Sequence, residues 1–241
     1  MRPVLFVSDL HLSPERPEIV ARFFRFLREE ARAAAGLYIL GDLLEHWIGD
    51  DDADEAFNRE LLARVAGLAR GGVEVALMHG NRDFLFSRTA ADRAGMRLLP
   101  DPLERELFGA RTLLMHGDTL CTDDVRYQRY RGWVRRPGLI RAFLALPRGA
   151  REAIGGGLKR VSAGEKRIKA PAIMDVNQAA VEATLRAHGY PRLIHGHTHR
   201  PARHVHVVDG HECERWVLAD WYERGSYLRC DAQGCTPMIL E

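Results

Sequence analysis

Five short apolar runs in this chain each stop at a small polar cluster, and that repeated junction constrains the fold more than any other feature. Val4 to Val7 runs into Ser8-Asp9-Leu10-His11, Leu37 to Leu40 into Gly41-Asp42, and Val73 to Met78 into His79-Gly80-Asn81. Further on, Arg111 to Met115 meets His116-Gly117-Asp118, and Arg192 to Ile194 meets His195-Gly196-His197-Thr198-His199. Short runs rich in β-branched and aliphatic residues, bounded by turn formers, read as strands. The first three are separated by helical patterns over about 17–34 and 55–70, the first with Pro17 near its start and Gly36 past its end. This βαβα order predicts a largely parallel sheet covered by helices.

The second half changes character. Leu103 to Leu107 and Arg111 to Met115, separated by Phe108-Gly109-Ala110, read as a hairpin. Arg203 to Val208, an Asp209-Gly210 turn, Glu214 to Leu218, and a final pair around Gly225 to Cys230 and Pro237 to Leu240 make this half antiparallel or mixed. The economical architecture is an α/β sandwich of two sheets flanked by helices (αββα), with no internal repeat.

One stretch resists this alternation. Residues 126–170 carry 13 Lys and Arg against two acids, whereas the remainder carries 22 against 31, so the formal charge of +2 is the sum of two opposed parts. The near-neutral total excludes a protein basic over its whole surface and leaves a local anion-facing patch open. Trp133, Leu139, Ile140, Phe143, Leu144, Leu146, Ile154 and Leu158 are mixed with those charges, broken by Pro137, Pro147 and Gly155-Gly156-Gly157. The pattern reads as short amphipathic helices forming a lid over 126–170, inserted in a core of 1–125 and 171–241, with a helix resuming over about 173–188. Four scattered cysteines are too few for a disulfide scaffold and make a reducing compartment the default. No segment has the ~20 apolar residues of a spanning helix, nor does the N-terminus hold a signal-peptide core, so the expectation is a soluble or surface-attached protein.

The strand ends offer Asp9, His11, Asp42, Asn81, His116, His197 and His199. Imidazole, carboxylate and amide oxygen together suit a divalent ion of intermediate hardness such as Mn, Fe or Zn. Seven donors exceed one tetrahedral ion and fit two neighbouring ions sharing a carboxylate. In Asp9-Leu10-His11, and again in His197-Thr198-His199, residues two apart in an extended chain point the same way and reach a common ion. The adjacent glycines permit sharp turns and close backbone approach. His79 and His195 read as supporting or packing residues, Asp83 and Asp118 as carboxylates that orient ligand imidazoles, and Cys121 as an inert thiol.

The ordered set Asp-x-His, Gly-Asp, Gly-Asn-Arg-Asp, His-Gly-Asp and Gly-His-x-His resembles the calcineurin-like metallophosphoesterase superfamily from residue 4 to about 222. Longer strings, Ser8-Asp9-Leu10-His11-Leu12, Gly80-Asn81-Arg82-Asp83-Phe84-Leu85, His116 through Asp124, Ile173-Met174-Asp175-Val176-Asn177 and His195 through Pro201, resemble its UDP-2,3-diacylglucosamine pyrophosphatase family of lipid A biosynthesis. The resemblance implies an enzyme using two Mn2+ ions, attached peripherally to the cytoplasmic face of the inner membrane. Its implied reaction is water attack at the α-phosphorus of UDP-2,3-diacylglucosamine, yielding UMP and the acylated sugar 1-phosphate, lipid X. It implies that Asp9, His11, Asp42 and His199 hold one ion and Asp42, Asn81, His116 and His197 the other, with Asp42 as bridge and Asn81, Arg82 and His116 at the chemistry.

Arg82 stands where many superfamily members carry a leaving-group acid, His; a phosphate leaving group needs little protonation, and the guanidinium fork suits phosphate oxygens. The implied substrate contacts are Asn81, Arg82, Asp124, Ser162, Lys169 and His197, together with Lys166, which replaces an Asn of the relatives and cannot accept a hydrogen bond. The lid is expected to seat acyl chains on its apolar side and anionic headgroups on its basic side. No nucleic acid or obligate protein partner is expected. Two other readings are a dinuclear phosphodiesterase acting on nucleotides or nucleic acid, which aromatic stacking platforms among the basic residues would favour, and a metal-free protein-binding scaffold, which a degraded donor set would favour.

Overall fold

The first strand, β1 (Val4–Val7), shows how the layers are built: Leu5 and Val7 face one side of the sheet and Phe6 the other, and all three are buried. The same alternation holds for β2 (Gly36–Leu40) and β3 (Glu74–Met78), where Leu37, Ile39, Val75 and Leu77 share the helix-covered core and Tyr38, Leu40, Ala76 and Met78 share the core between the sheets. Successive strand side chains point to opposite faces, so a sheet covered on both sides needs the unbroken apolar runs seen in the sequence. The computed structural model describes residues 1–157 and 175–240.

The first sheet has six strands in the order β11-β10-β1-β2-β3-β4, where β4 is Met96–Leu99, β10 Ser226–Asp231 and β11 Gly234–Ile239. β1 through β4 run parallel, and β10 and β11 add antiparallel strands beyond β1. The second sheet has the order β5-β6-β7-β9-β8, formed by Leu103–Leu107, Ala110–Met115, Arg192–His195, His211–Val217 and Ala202–Val208 respectively. It is mixed: β6, β7 and β9 are parallel, with β5 and β8 antiparallel at its edges.

Helix α1 (Pro17–Glu29) buries Ile19, Phe23, Phe26 and Leu27 against the first sheet, the spacing of one helical face. It stops at Glu29, and a short 3-10 turn over Ala31–Ala33 takes up the residues that the sequence pattern assigned to its last turn. Helix α2 (Ala56–Arg70) packs beside it, and α3 (Arg88–Arg93) leads into β4, a helix and strand not distinguished in the sequence because both are short and Arg97 interrupts the apolar run. Helix Gln178–Ala187 covers the second sheet with Val181 and Leu185, capped by the Asn177 side chain.

The inserted segment is helical where described: α4 (Val125–Val134), α5 (Pro137–Leu144) and a further stretch over 148–157. No helix among the described residues is long and apolar enough to cross a membrane. Cys230 and Cys235, opposite each other on β10 and β11, form a disulfide, a local staple that spacing in the sequence does not reveal.

Trp221 closes the helix-covered core beneath the ends of the first sheet. It is fully buried, meets Phe23 and Phe26 edge-on at ring-centre distances of 5.8 and 5.7 Å, and donates its backbone N–H to Asp9 O. Trp221→Ala should destabilise the fold by roughly 3–5 kcal/mol, read as a lower urea midpoint; an unchanged midpoint contradicts this role.

Candidate metal centre

The carboxyl ends of β1, β2, β3, β6 and β7 converge, and the loops leaving them carry the seven expected donors. Two groups form there, Asp9 with His11 and the half-buried His199, and the fully buried Asp9 with Asp42 and His116. They share Asp9, while Asp42 Oδ2 lies 3.7 Å from His11 Nε2 and so also stands between the two sets. Asn81 Oδ1 sits 3.3 Å from His116 Nε2 and 3.1 Å from His197 Nδ1, which brings the remaining two donors to the same place.

The backbone reaches this arrangement by a route different from the extended one anticipated. Asp9, His11, Asp42, His197 and His199 all have positive φ, between 48° and 71°. Non-glycine residues seldom adopt that region and cluster in it at functional sites. The loop after β1 is held there by the loop after β2, through Asp9 N to Gly41 O, His11 N to Asp42 O and Leu12 N to Leu43 O. Gly80 and Gly196 make the close approach possible: a Cβ on Gly80 would overlap Asp42, and one on Gly196 would overlap Ser8 and Asp9.

Each imidazole of three has one nitrogen tied outward and the other turned inward. His11 Nδ1 lies 3.1 Å from Glu45, His199 Nδ1 3.2 Å from Asp220, and His116 Nδ1 donates to Leu40 O at 2.8 Å. This is how outer partners orient metal-binding histidines. Glu45 and Asp220 were not legible in the sequence, because neither belongs to a recurring string. Asp83 and Asp118 do other work than expected. Asp83 accepts from Leu43 N and Gly80 N, tying two site loops together, and Asp118 accepts from Tyr127 Oη and Arg131 Nε of the lid.

The donor set fits divalent ions. Among the described residues, Asp9 Oδ1 and His11 Nε2 are buried without a hydrogen-bond partner, and both face the shared space. Two fully buried carboxylates stand beside each other, a costly pairing unless positive charge accompanies it. In the ion-free protein that charge comes from protons. Burial opposes charge on His116 and His199, but Asp42, Asp118 and Asp9 around the first, and Asp220 and Asp9 around the second, hold each up to about 9. Burial and the neighbouring His116 instead push His197 down to about 3. Asp9 stays ionised against its burial because His199, His116 and His11 surround it, whereas burial raises Asp42.

Arg82 borders this centre. Its backbone N–H donates to Asp42 Oδ1 at 2.8 Å, and its side-chain Nε is buried without a hydrogen-bond partner among the described residues. Asp124 caps α4 through Tyr127 N. Ser162, Lys166 and Lys169 lie outside the described residues. Cys121 is buried, and burial together with nearby carboxylates pushes its thiol up to about 12, consistent with inertness. His79 bonds to Phe86 O in a packing role, and His195 lies fully buried behind the His197 loop.

The basic insert is docked on the same loops. From one face of α4, Tyr127 and Arg131 reach buried Asp118, Arg135 donates to Gly80 O, and the Tyr127 ring stacks on His197 at 5.9 Å. At the far end Arg148 pairs with Asp52 and Glu55, and Arg151 with Asp51. Part of the insert's described positive charge, which the sequence reading assigned to anionic headgroups, is therefore engaged by the acidic core instead.

A model of the calcineurin-like phosphoesterase family matches residues 2–201. The UDP-2,3-diacylglucosamine hydrolase of Aromatoleum aromaticum is 53% identical over 230 residues, covering 95% of this chain and 94% of that protein. The proteins of the same name from Nitrosococcus oceani and Pseudomonas aeruginosa are each 48% identical, covering 95% and 96% of this chain and 91% and 96% of their own lengths. With the αββα fold and the donor set at its strand ends, these similarities establish that the chain belongs to the calcineurin-like phosphoesterase family.

Proposed function

We propose that the protein hydrolyses the pyrophosphate bond of UDP-2,3-diacylglucosamine, releasing UMP and 2,3-diacylglucosamine 1-phosphate. The single observation that carries this reading is the convergence of seven donors, buried or half-buried, in a chain so similar, over nearly its whole length, to hydrolases named for that substrate. Asp9, His11, Asp42 and His199 would hold one ion, and Asp42, Asn81, His116 and His197 a second. The mixed imidazole, carboxylate and amide set suits manganese. Divalent ions bound there lower the pKa of a water and offset charge on phosphoryl oxygens.

The chain's own groups supply the rest. Arg82 presents a permanently charged donor to a phosphate oxygen, and its buried Nε has no competing acceptor among the described residues. A phosphate leaving group needs no strong acid, so an arginine serves here where an alkoxide would require a proton donor. Tyr127, stacked on His197, makes the lid a wall of the site. The proposed substrate contacts are Asn81, Arg82, Asp124, Ser162, Lys166, Lys169 and His197.

Five of the eleven exposed large apolar side chains among the described residues, Tyr130, Trp133, Leu144, Leu146 and Ile154, lie on the lid, and a sixth, Val125, opens the helix that leads into it. Such a concentration marks an interaction surface and supports a lid that receives acyl chains and rests on the cytoplasmic face of the inner membrane. Arg129, Arg136 and Arg141 accompany them with no ion pair among the described residues, the combination found in interfacial helices.

Incubation with UDP-2,3-diacylglucosamine and manganese in ¹⁸O-water should place label in UMP, as attack at the α-phosphorus requires. Label in the acylated sugar phosphate, or no release of UMP, contradicts the assignment. Ion binding should also release protons near neutral pH, because His116 and His199 hold theirs up to about 9 and the ion needs them neutral. Manganese affinity should therefore rise from neutral pH toward about 9 and then level. Calorimetry in buffers of different protonation enthalpy measures both, and a pH-independent affinity without proton release contradicts this account.

A further inference from the structure

Arg215, on β9, is only 6% exposed, and no carboxylate among the described residues lies within ion-pair distance of it. Its guanidinium instead meets two imidazoles: Nη1 is 3.1 Å from His195 Nε2, and Nε donates to His206 Nε2 at 3.0 Å. An arginine has only donors, so His195 Nε2 must accept. The His195 proton then belongs on Nδ1, which lies 2.9 Å from Gly196 O.

Gly196 O also accepts from Thr198 N at 2.9 Å, with φ of 71° at His197 between them. An i to i+2 bond around a residue of such positive φ is the rare, strained form of γ-turn. His197 is thus turned toward Asn81 by a turn that ordinary backbone preference disfavours, and the carbonyl closing it has a second donor whose direction depends on Arg215. Asp9 Oδ2 adds to the hold by accepting from His197 N at 2.7 Å.

We propose that Arg215 is a positioning residue for the ion-binding loop, acting through His195: it fixes the Nδ1–H tautomer that donates to Gly196 O and so holds the γ-turn that aims His197. The inference rests on reading His197 and His199 as ion ligands. It assigns to a buried arginine with no carboxylate at ion-pair distance among the described residues a purpose that packing alone does not supply, since burying a cation without a close counter-charge is costly.

The test begins with the ion-free protein. Nitrogen-15 spectra of its histidines should show His195 with a protonated Nδ1 and a bare Nε2; the opposite tautomer overturns the proposal without any variant. Arg215→Met should then weaken manganese binding by roughly 10- to 100-fold, the range typical of lost outer-shell partners. His195→Asn gives the decisive comparison, because its amide can still donate to Gly196 O but cannot receive from Arg215 at the Nε2 position. In that background Arg215→Met should cost little further affinity. An equal loss in both backgrounds, or no loss in the wild-type background, overturns the proposal. A wild-type chain that binds no ion instead refutes the functional reading on which it rests. Should Arg215→Met not fold, the wild-type tautomer still decides the point.

Discussion

Two carboxylates, Asp9 and Asp42, are buried almost completely and held side by side at the ends of neighbouring parallel strands. Removing even one such group from water costs several kcal/mol unless positive charge meets it. The surrounding structure is organised by that requirement. Imidazoles of His11, His116 and His199 close around the pair, and Glu45, Leu40 O and Asp220 turn the imidazoles inward. Left-handed backbone at five of the donors is tolerated because loop-to-loop hydrogen bonds and glycine clearances leave little alternative. The same concentration of charge that strains the ion-free protein makes a strong site for divalent cations.

The strand ends carry so much information in the sequence because an unbroken apolar run followed by a polar cluster serves two constraints at once. The run must be apolar because the sheet is buried on both faces, and the cluster must be polar because it lines the site. The helix-covered layer and the mixed second sheet follow from the same patterns. What remained hidden lies where a residue acts through tertiary placement alone. Glu45, Asp220 and Arg215 are single charged residues without a repeating context, and only the packing of distant segments shows what each one touches. The Asp-x-His spacing pointed to converging side chains but not to the positive φ by which they converge. α3 and β4 were missed for a local reason, being too short to establish a period.

The charge asymmetry takes on a more specific meaning in three dimensions. Arg131, Arg148 and Arg151 of the basic insert pair with Asp118, Asp52, Glu55 and Asp51 of the acidic core, so opposition between the two parts of the chain becomes the means of docking the lid. Asp118 is the point where docking and chemistry meet, because it follows His116 by two residues and receives two side chains of α4. The apolar side chains left exposed on the lid lie beside charges not used in that docking.

The central claim is that one buried donor set forms a pair of adjacent ion sites. Diffraction from manganese-grown crystals, with anomalous scattering measured across the manganese edge, tests it most directly. The account predicts two peaks per chain, one contacting Asp9, His11 and His199 and the other Asn81, His116 and His197, with the Asp42 carboxylate reaching both. A single peak, or manganese only at surface carboxylates, would contradict it.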